Sequence, residues 1–256
     1  MSVVAFANQK GGVGKTSSCV NIAASLALQG KRVLLVDMDP QGNSTSGLGV
    51  DRGKLNASVY ELLLEQAPPE DVQLPTAVEN LSLLPATIDL AGAEIELSSA
   101  ISRESRLRRF RGFFETFDFV MVDCPPSLGL LTLNSLVAAD YFLVPIQCEY
   151  YALEGLSQLL KTIDLVKQYL NKDLSLFGIV LTMYDGRTRL SRDVVDQVRE
   201  RFPRDMFQTL IPRNVRVSES PSYGMPVVTY DPSSQGAQAY IDLSKEVLER
   251  WHALQA

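Results

Sequence analysis

Residues 8 to 17, Asn-Gln-Lys-Gly-Gly-Val-Gly-Lys-Thr-Ser, constrain this chain more than any other stretch. They follow an apolar run, Val3 to Ala7, that reads as a short buried strand, and precede Cys19 to Leu28, which reads as a helix. Strand, glycine-rich turn and helix in that order is the context a phosphate-binding loop needs. Gly11, Gly12 and Gly14, spaced around Val13, let the backbone bend tightly and turn its N–H groups inward as an anion nest. The helix that opens near Ser17 adds the positive end of its dipole. Lys15 is placed to reach terminal phosphates, and the Thr16 hydroxyl is suited to Mg²⁺. One departure stands out: Gln9 occupies the position where the general loop pattern has its first glycine, and Lys10 follows it, adding a second cation at the mouth.

Two further runs end in acids. Val33 to Val36 reads as a buried strand leading into Asp37-Met38-Asp39-Pro40-Gln41-Gly42-Asn43, and Asp118 to Asp123 reads as another. Carboxylates at the carboxyl end of a parallel strand lie where open α/β sheets bind ligands. Beside a phosphate loop, Asp123 is expected to hold the metal through a water, and Asp37 and Asp39 to serve the metal and the attacking water. More strands are expected at Leu81 to Leu84, Tyr141 to Pro145 and Leu176 to Thr182, with helical patterns between them. Those include a capping box at Ser58 and Glu61 and a long helical pattern from Thr87 to Phe117. Strands alternating with amphipathic helices predict one doubly wound α/β domain over residues 1–256, its sheet mostly parallel with helices on both faces.

These segments together resemble the ParA/MinD class of P-loop ATPases, and most closely its ParA/Soj branch. K-G-G-V-G-K-T is similar to the deviant Walker A box of that class, and D-x-D-P-Q-G-N to its second box. Asp123-Cys124-Pro125-Pro126 matches its D-x-P-P, and Tyr184-Asp185-x-Arg187-Thr188 with Pro212-Arg213-Asn214-Val215-Arg216 matches its C-terminal part. The resemblance implies ATP bound by Lys10, Gly11, Gly12, Val13, Gly14, Lys15, Thr16 and Ser17, with Pro212 and Asn214 on the adenine side. It implies Mg²⁺ near Thr16, Asp37 and Asp123, and Asp39 orienting the water, with Asn43 helping to hold it. Catalysis would rest on Lys10, Lys15 and Asp39. Lys10 would reach across an ATP-dependent homodimer to the partner's nucleotide. Arg187, Arg189 and Arg216 would touch nonspecific double-stranded DNA, and a ParB/Spo0J-like protein would stimulate a slow turnover in chromosome or plasmid segregation. A ParA-like ATPase positioning a protein cargo carries nearly the same motifs, and a MinD-like membrane-associated ATPase is the other relative to weigh.

Composition narrows these readings. Net charge is −6, so any DNA contact must be a local patch. Residues 181 to 220 carry 8 Arg against 6 acids, and residues 1 to 100 carry 6 Lys/Arg against 11 acids. A second basic cluster, Arg103 to Arg111, reads as a solvated helix face or a phosphate-contacting surface. No run approaches the roughly 18 uncharged apolar residues of a membrane span, and no signal peptide or additional N-terminal DNA-binding module is expected. The last helix mixes Asp242, Glu246 and Glu249 with Lys245 and Arg250, a balance suited to docking on the domain rather than on an anionic bilayer. Cys19, Cys124 and Cys148 lie far apart and read as buried thiols in a reducing cytosol, not as cluster ligands; the resemblance implies that such a cytoplasmic protein would be nucleoid-associated. His252, the only histidine, lies in the tail and reads as structural.

Overall fold

The computed structural model describes residues 1–255. In chain order its strands and helices are β1 (Ser2–Phe6), α1 (Lys15–Leu28), β2 (Val33–Asp37), α2 (Asn43–Gly47), α3 (Val59–Leu63), α4 (Pro69–Val72), β3 (Leu74–Pro75) and β4 (Leu81–Leu84). There follow α5 (Leu90–Glu96), α6 (Arg111–Phe114), β5 (Phe119–Asp123), α7 (Leu130–Ala138), β6 (Tyr141–Gln147), α8 (Ala152–Tyr169) and β7 (Ser175–Thr182). The chain finishes with α9 (Arg189–Arg201), α10 (Val215–Glu219), α11 (Val227–Tyr230) and α12 (Gln235–Gln255).

The strands form one sheet in the order β3-β4-β2-β5-β1-β6-β7. All neighbours are parallel except β3, a two-residue edge strand that runs antiparallel to β4. Each inner strand is an apolar run with both faces buried, as a sheet covered on two sides requires. Val3 and Ala5 pack into the core on one face, with α5, α7 and α8; Val4 and Phe6 pack into the other, with α1 and α12. This is the doubly wound sheet expected above.

Register places the chemistry. Phe6 of β1 and Asp37 of β2 both pair with Asp123 of β5, so three strand ends lie level at one edge of the sheet. The phosphate-loop segment leaves the first of them, and an acid closes each of the other two.

The long helical pattern from Thr87 to Phe117 is a correction: it is not one helix. Only Leu90–Glu96 and Arg111–Phe114 are α-helical, with short 3₁₀ turns between. Ser102, at φ 54, breaks the run. Three of its arginines tie segments together. Arg106 and Arg109 both pair with Glu65, and Arg111 pairs with Asp140 at 2.6 Å. The Ser58–Glu61 capping box is present. The helix it opens ends before Pro68, where Glu65 turns left-handed at φ 60, and Pro69 begins the next helix.

On α12, Tyr240, Leu243 and Val247 are buried against the body, and the Trp251 indole donates to Ser2 Oγ at 2.9 Å. Leu254, near the end of α12, is exposed.

Candidate nucleotide and metal site

The segment after β1 bends at two left-handed glycines, Gly12 at φ 75 and Gly14 at φ 83. A side chain at Gly11 or Gly12 would point into open space, so the backbone there faces a groove. That groove is lined by Gly11, Gly12, Gly14, Lys15, Thr16, Ser17, Asp39, Gln41, Asn43, Pro126 and Met183. Gly14 caps α1 with no side-chain hydrogen bond, which leaves the first N–H groups of that helix to an outside acceptor. The helix begins at Lys15, four residues before the apolar run announces it. Val13 is buried beneath the loop, and its carbonyl accepts a 2.8 Å hydrogen bond from Thr182 Oγ1 at the end of β7, fastening the loop to the sheet.

Lys15 is buried, and its ammonium reaches only the Lys10 carbonyl, at 3.2 Å. Burial lowers its pKa, opposed by the charges of Asp123, Cys124 and Asp39. Lys10 behaves differently. It is half exposed and rests on Glu149 at 2.6 Å.

The three acids divide by surroundings. Asp37 is fully buried; its Oδ2 accepts from Thr45 N and Thr45 Oγ1, and its Oδ1 from Asp39 N. It therefore supports the turn from behind. Burial, with the Asp123 charge added, pushes its carboxyl up to about 7. Asp123 is also fully buried, and its Oδ2 accepts from Ser44 Oγ at 2.8 Å. Burial pushes it up to about 6, countered by the hydroxyls of Ser44 and Thr16. Thr16 completes no hydrogen bond to Oδ1, which is buried without a partner. Asp39 lies at the groove, its Oδ1 accepting from Gln41 N at 2.9 Å.

An orphaned carboxylate oxygen beside a threonine hydroxyl, under an anion cradle, fits a divalent cation that arrives with a phosphate and keeps its waters. Among the described residues no three acids, cysteines or histidines gather into a cage, so phosphate oxygens and water would complete the shell. All three cysteines are free and buried; burial pushes Cys124 up to about 12 and Cys148 up to about 11, the behaviour of inert thiols.

The segment expected on the adenine side meets the sheet next to this groove. Pro212 bridges to Tyr184, the neighbour of Met183. Asn214 caps α10, its Oδ1 accepting from Arg216 N at 2.9 Å. Arg187, Arg189 and Arg216 are on the surface and each has an acid of the same chain: Asp185, Asp193, and both Glu219 and Asp231.

Comparisons with known proteins bear on family and fold. A family model described as an AAA domain matches residues 1–176. The sporulation initiation inhibitor protein Soj of Bacillus subtilis is 55% identical over 246 residues, covering 96% of this chain and 97% of that one. The chromosome partitioning protein ParA of Myxococcus xanthus is 52% identical over 249 residues, covering 97% of this chain and 88% of that one. The chain belongs to the ParA/Soj family. Among solved structures, cobyrinic acid a,c-diamide synthase from Mycobacterium smegmatis with bound ADP and magnesium superposes with TM-score 0.86 at 44% identity, covering 98% of this chain and 96% of that one. The cell division ATPase MinD of Pyrococcus furiosus superposes with TM-score 0.80 at 26% identity, covering 97% and 98%. The chain thus has the P-loop sheet of the ParA/MinD class.

Three residues, two of them buried and one lining the groove, escaped the sequence reading. Ser44 and Thr45 hold the two buried acids, but nothing in the linear pattern shows that Ser44 meets Asp123. Met183 lines the groove in a left-handed conformation, φ 52. Its signal was available: it follows the last residue of a parallel strand, where ligands collect.

Proposed function

We propose that the protein is an Mg²⁺-dependent ATPase that dimerises with ATP, binds duplex DNA without sequence preference, and segregates chromosome or plasmid DNA with a ParB/Spo0J-like partner. The observation that carries this reading is the level alignment of Phe6, Asp123 and Asp37, which sets the loop and Lys15 at one groove and the orphaned Asp123 oxygen in the interior next to Thr16 of its lining. The backbone from Gly11 to Ser17 cradles the phosphates, Lys15 neutralises their charge, and Pro212 and Asn214 border the base. Thr16 and Asp123 would hold Mg²⁺, with Asp37 supporting from behind; bound there, the ion would screen the charge that develops on the transferred phosphoryl group. Asp39 accepts from the attacking water and, with Asn43 at the same turn, sets its approach.

In this scheme Lys10 works in trans. Its link to Glu149 is exposed, and such pairs contribute about 0–1 kcal/mol, so leaving it costs little. A dimer would double the basic surface of Arg187, Arg189 and Arg216, and the second protomer's contacts become intramolecular, raising avidity by about 10²-fold or more. Such a protein works in the cytoplasm, on the nucleoid. The whole chain, residues 1–256, acts as one P-loop domain in this scheme.

One observation bears on the MinD-like alternative. The apolar face of α12 is spent on the body through Tyr240, Leu243 and Val247. The synthase name of one neighbour describes that protein; the relatives at 55% and 52% identity carry sporulation and partitioning names. The deciding experiment is light scattering and DNA retention at low salt with Mg²⁺ and either ATP or ADP. Dimers and DNA retention with ATP alone support the reading; a monomer that ignores DNA with both nucleotides overturns it.

A further inference from the structure

The short helix α2 starts four residues after Asp39 and sends two hydroxyls back into the sheet. Ser44 Oγ donates to Asp123 Oδ2 at 2.8 Å. Thr45 Oγ1 donates to Asp37 Oδ2 at 2.7 Å, and the same hydroxyl accepts from Ala86 N at 2.9 Å. All four side chains are fully buried. The two hydroxyls have different surroundings. Thr45 belongs to a closed network: Asp37 has both oxygens occupied, and Ala86 ties the hydroxyl to the chain beyond β4. Ser44 belongs to an open one, because the other oxygen of its partner, Asp123 Oδ1, completes no hydrogen bond within the chain, although the Thr16 hydroxyl stands close enough to help hold the carboxyl down.

A buried carboxylate with one oxygen unpaired is costly, and native chains rarely leave such an atom unless something outside the chain completes it. A carboxylate held by no one could also rotate and present either oxygen. With Oδ2 engaged by Ser44, only Oδ1 is left to accept from a ligand. We infer that Ser44 is a positioning residue: it holds Asp123 in the one orientation that offers Oδ1 to the water shell of a divalent cation beside Thr16. Thr45 has no such role; it braces the turn. The inference rests on the Mg²⁺-nucleotide reading above and assigns the cation affinity of that site to a residue outside the recognised motifs. Hydrogen-bond partners of this outer kind change metal affinity by about 10–100-fold when removed.

Mn²⁺ binding to the ADP complex, followed by electron paramagnetic resonance, tests it. Ser44→Ala should raise the Mn²⁺ dissociation constant about tenfold or more, while ADP affinity in EDTA stays within about twofold of wild type, since the phosphate cradle is untouched. Because Ser44 acts through Asp123, adding Ser44→Ala to an Asp123→Asn chain should change Mn²⁺ affinity less than about twofold. Thr45→Ala should lower the melting temperature more than Ser44→Ala does and weaken Mn²⁺ less. An Mn²⁺ affinity unchanged in folded Ser44→Ala, or a tenfold loss that persists in the Asp123→Asn background, overturns the assignment. If Ser44→Ala melts below the assay temperature, Ser44→Cys, which keeps a side chain of similar shape with a weaker donor, makes the same comparison. A wild-type ADP complex that takes up no Mn²⁺ would refute the cation reading itself, a result separate from any variant.

Discussion

Lys15 sits in the interior with one backbone carbonyl for company, while Arg187 has 89% of its side chain in solvent and grips Asp185 through two hydrogen bonds of 2.9 and 2.8 Å. The same contrast runs through both regions. At the sheet edge, Lys15 and Asp123 are buried and left short of partners, a state a fold sustains only where a ligand completes it. On the surface around α9 and α10, Arg187, Arg189 and Arg216 each already have an acid of their own chain. Under-satisfied buried groups identify a site by themselves. Satisfied exposed arginines do not, because surface pairs are weak and readily exchanged for phosphate.

The contrast orders the expected effects. Asp39→Ala should lower turnover by about 10²–10⁴ while nucleotide binding persists, measured as phosphate release beside nucleotide titration; normal turnover would remove Asp39 from the chemistry. Lys15→Ala should weaken nucleotide binding by about 10²-fold or more, the loss of charged hydrogen bonds to phosphate. Calorimetry showing wild-type affinity would break the claim that the sheet edge is a phosphate site. On the surface the effects shrink. Arg216→Ala should weaken DNA binding several-fold and lower the salt slope by about 1, uniformly across sequences. Asp185→Asn sharpens the comparison: it frees Arg187 and should tighten DNA binding in filter retention if local neutralisation is what restrains that arginine. No change would assign Arg187 to its own loop alone.

The smallest effect is one of stability. Asp37 and Asp123 are raised by burial from an ordinary 3.8 to about 7 and about 6, so the folded chain binds these protons more tightly than the unfolded one. Their burial therefore costs little below pH 4 and costs progressively more as pH rises toward 7. Without nucleotide or metal, the melting temperature should fall between about pH 4 and pH 7 and level off above that, and Asp123→Asn should flatten that fall. Equal slopes in thermal melts of the two chains would contradict the assigned cause.

What was legible in the sequence was local. Glycines that need left-handed backbone, such as Gly12 and Gly14, and strands that stop on an acid carry their signal within a few residues, so the loop, Asp37 and Asp123 were placed from the text alone. The doubly wound sheet followed from the alternation of buried runs and helices. What failed was long-range or context-dependent. The helical pattern after Thr87 has the right residues, but Ser102 turns left-handed and the arginines answer to Glu65 and Asp140, far away in the chain. Ser44 meets Asp123 across 79 positions, a contact no spacing rule announces.

One quieter contact has a consequence for how such chains vary. Gly49, just past α2, and Gly224, just past the segment that carries Arg216, touch backbone to backbone: a Cβ on Gly224 would lie 2.6 Å from the Gly49 Cα, and one on Gly49 would lie 3.0 Å from the Gly224 carbonyl oxygen. Both have positive φ, 80 and 65. Neither position tolerates even a methyl group without parting the other. Lineages that remodel either loop must then do so around a fixed seam, and grafting a foreign loop onto one side calls for its matching glycine on the other.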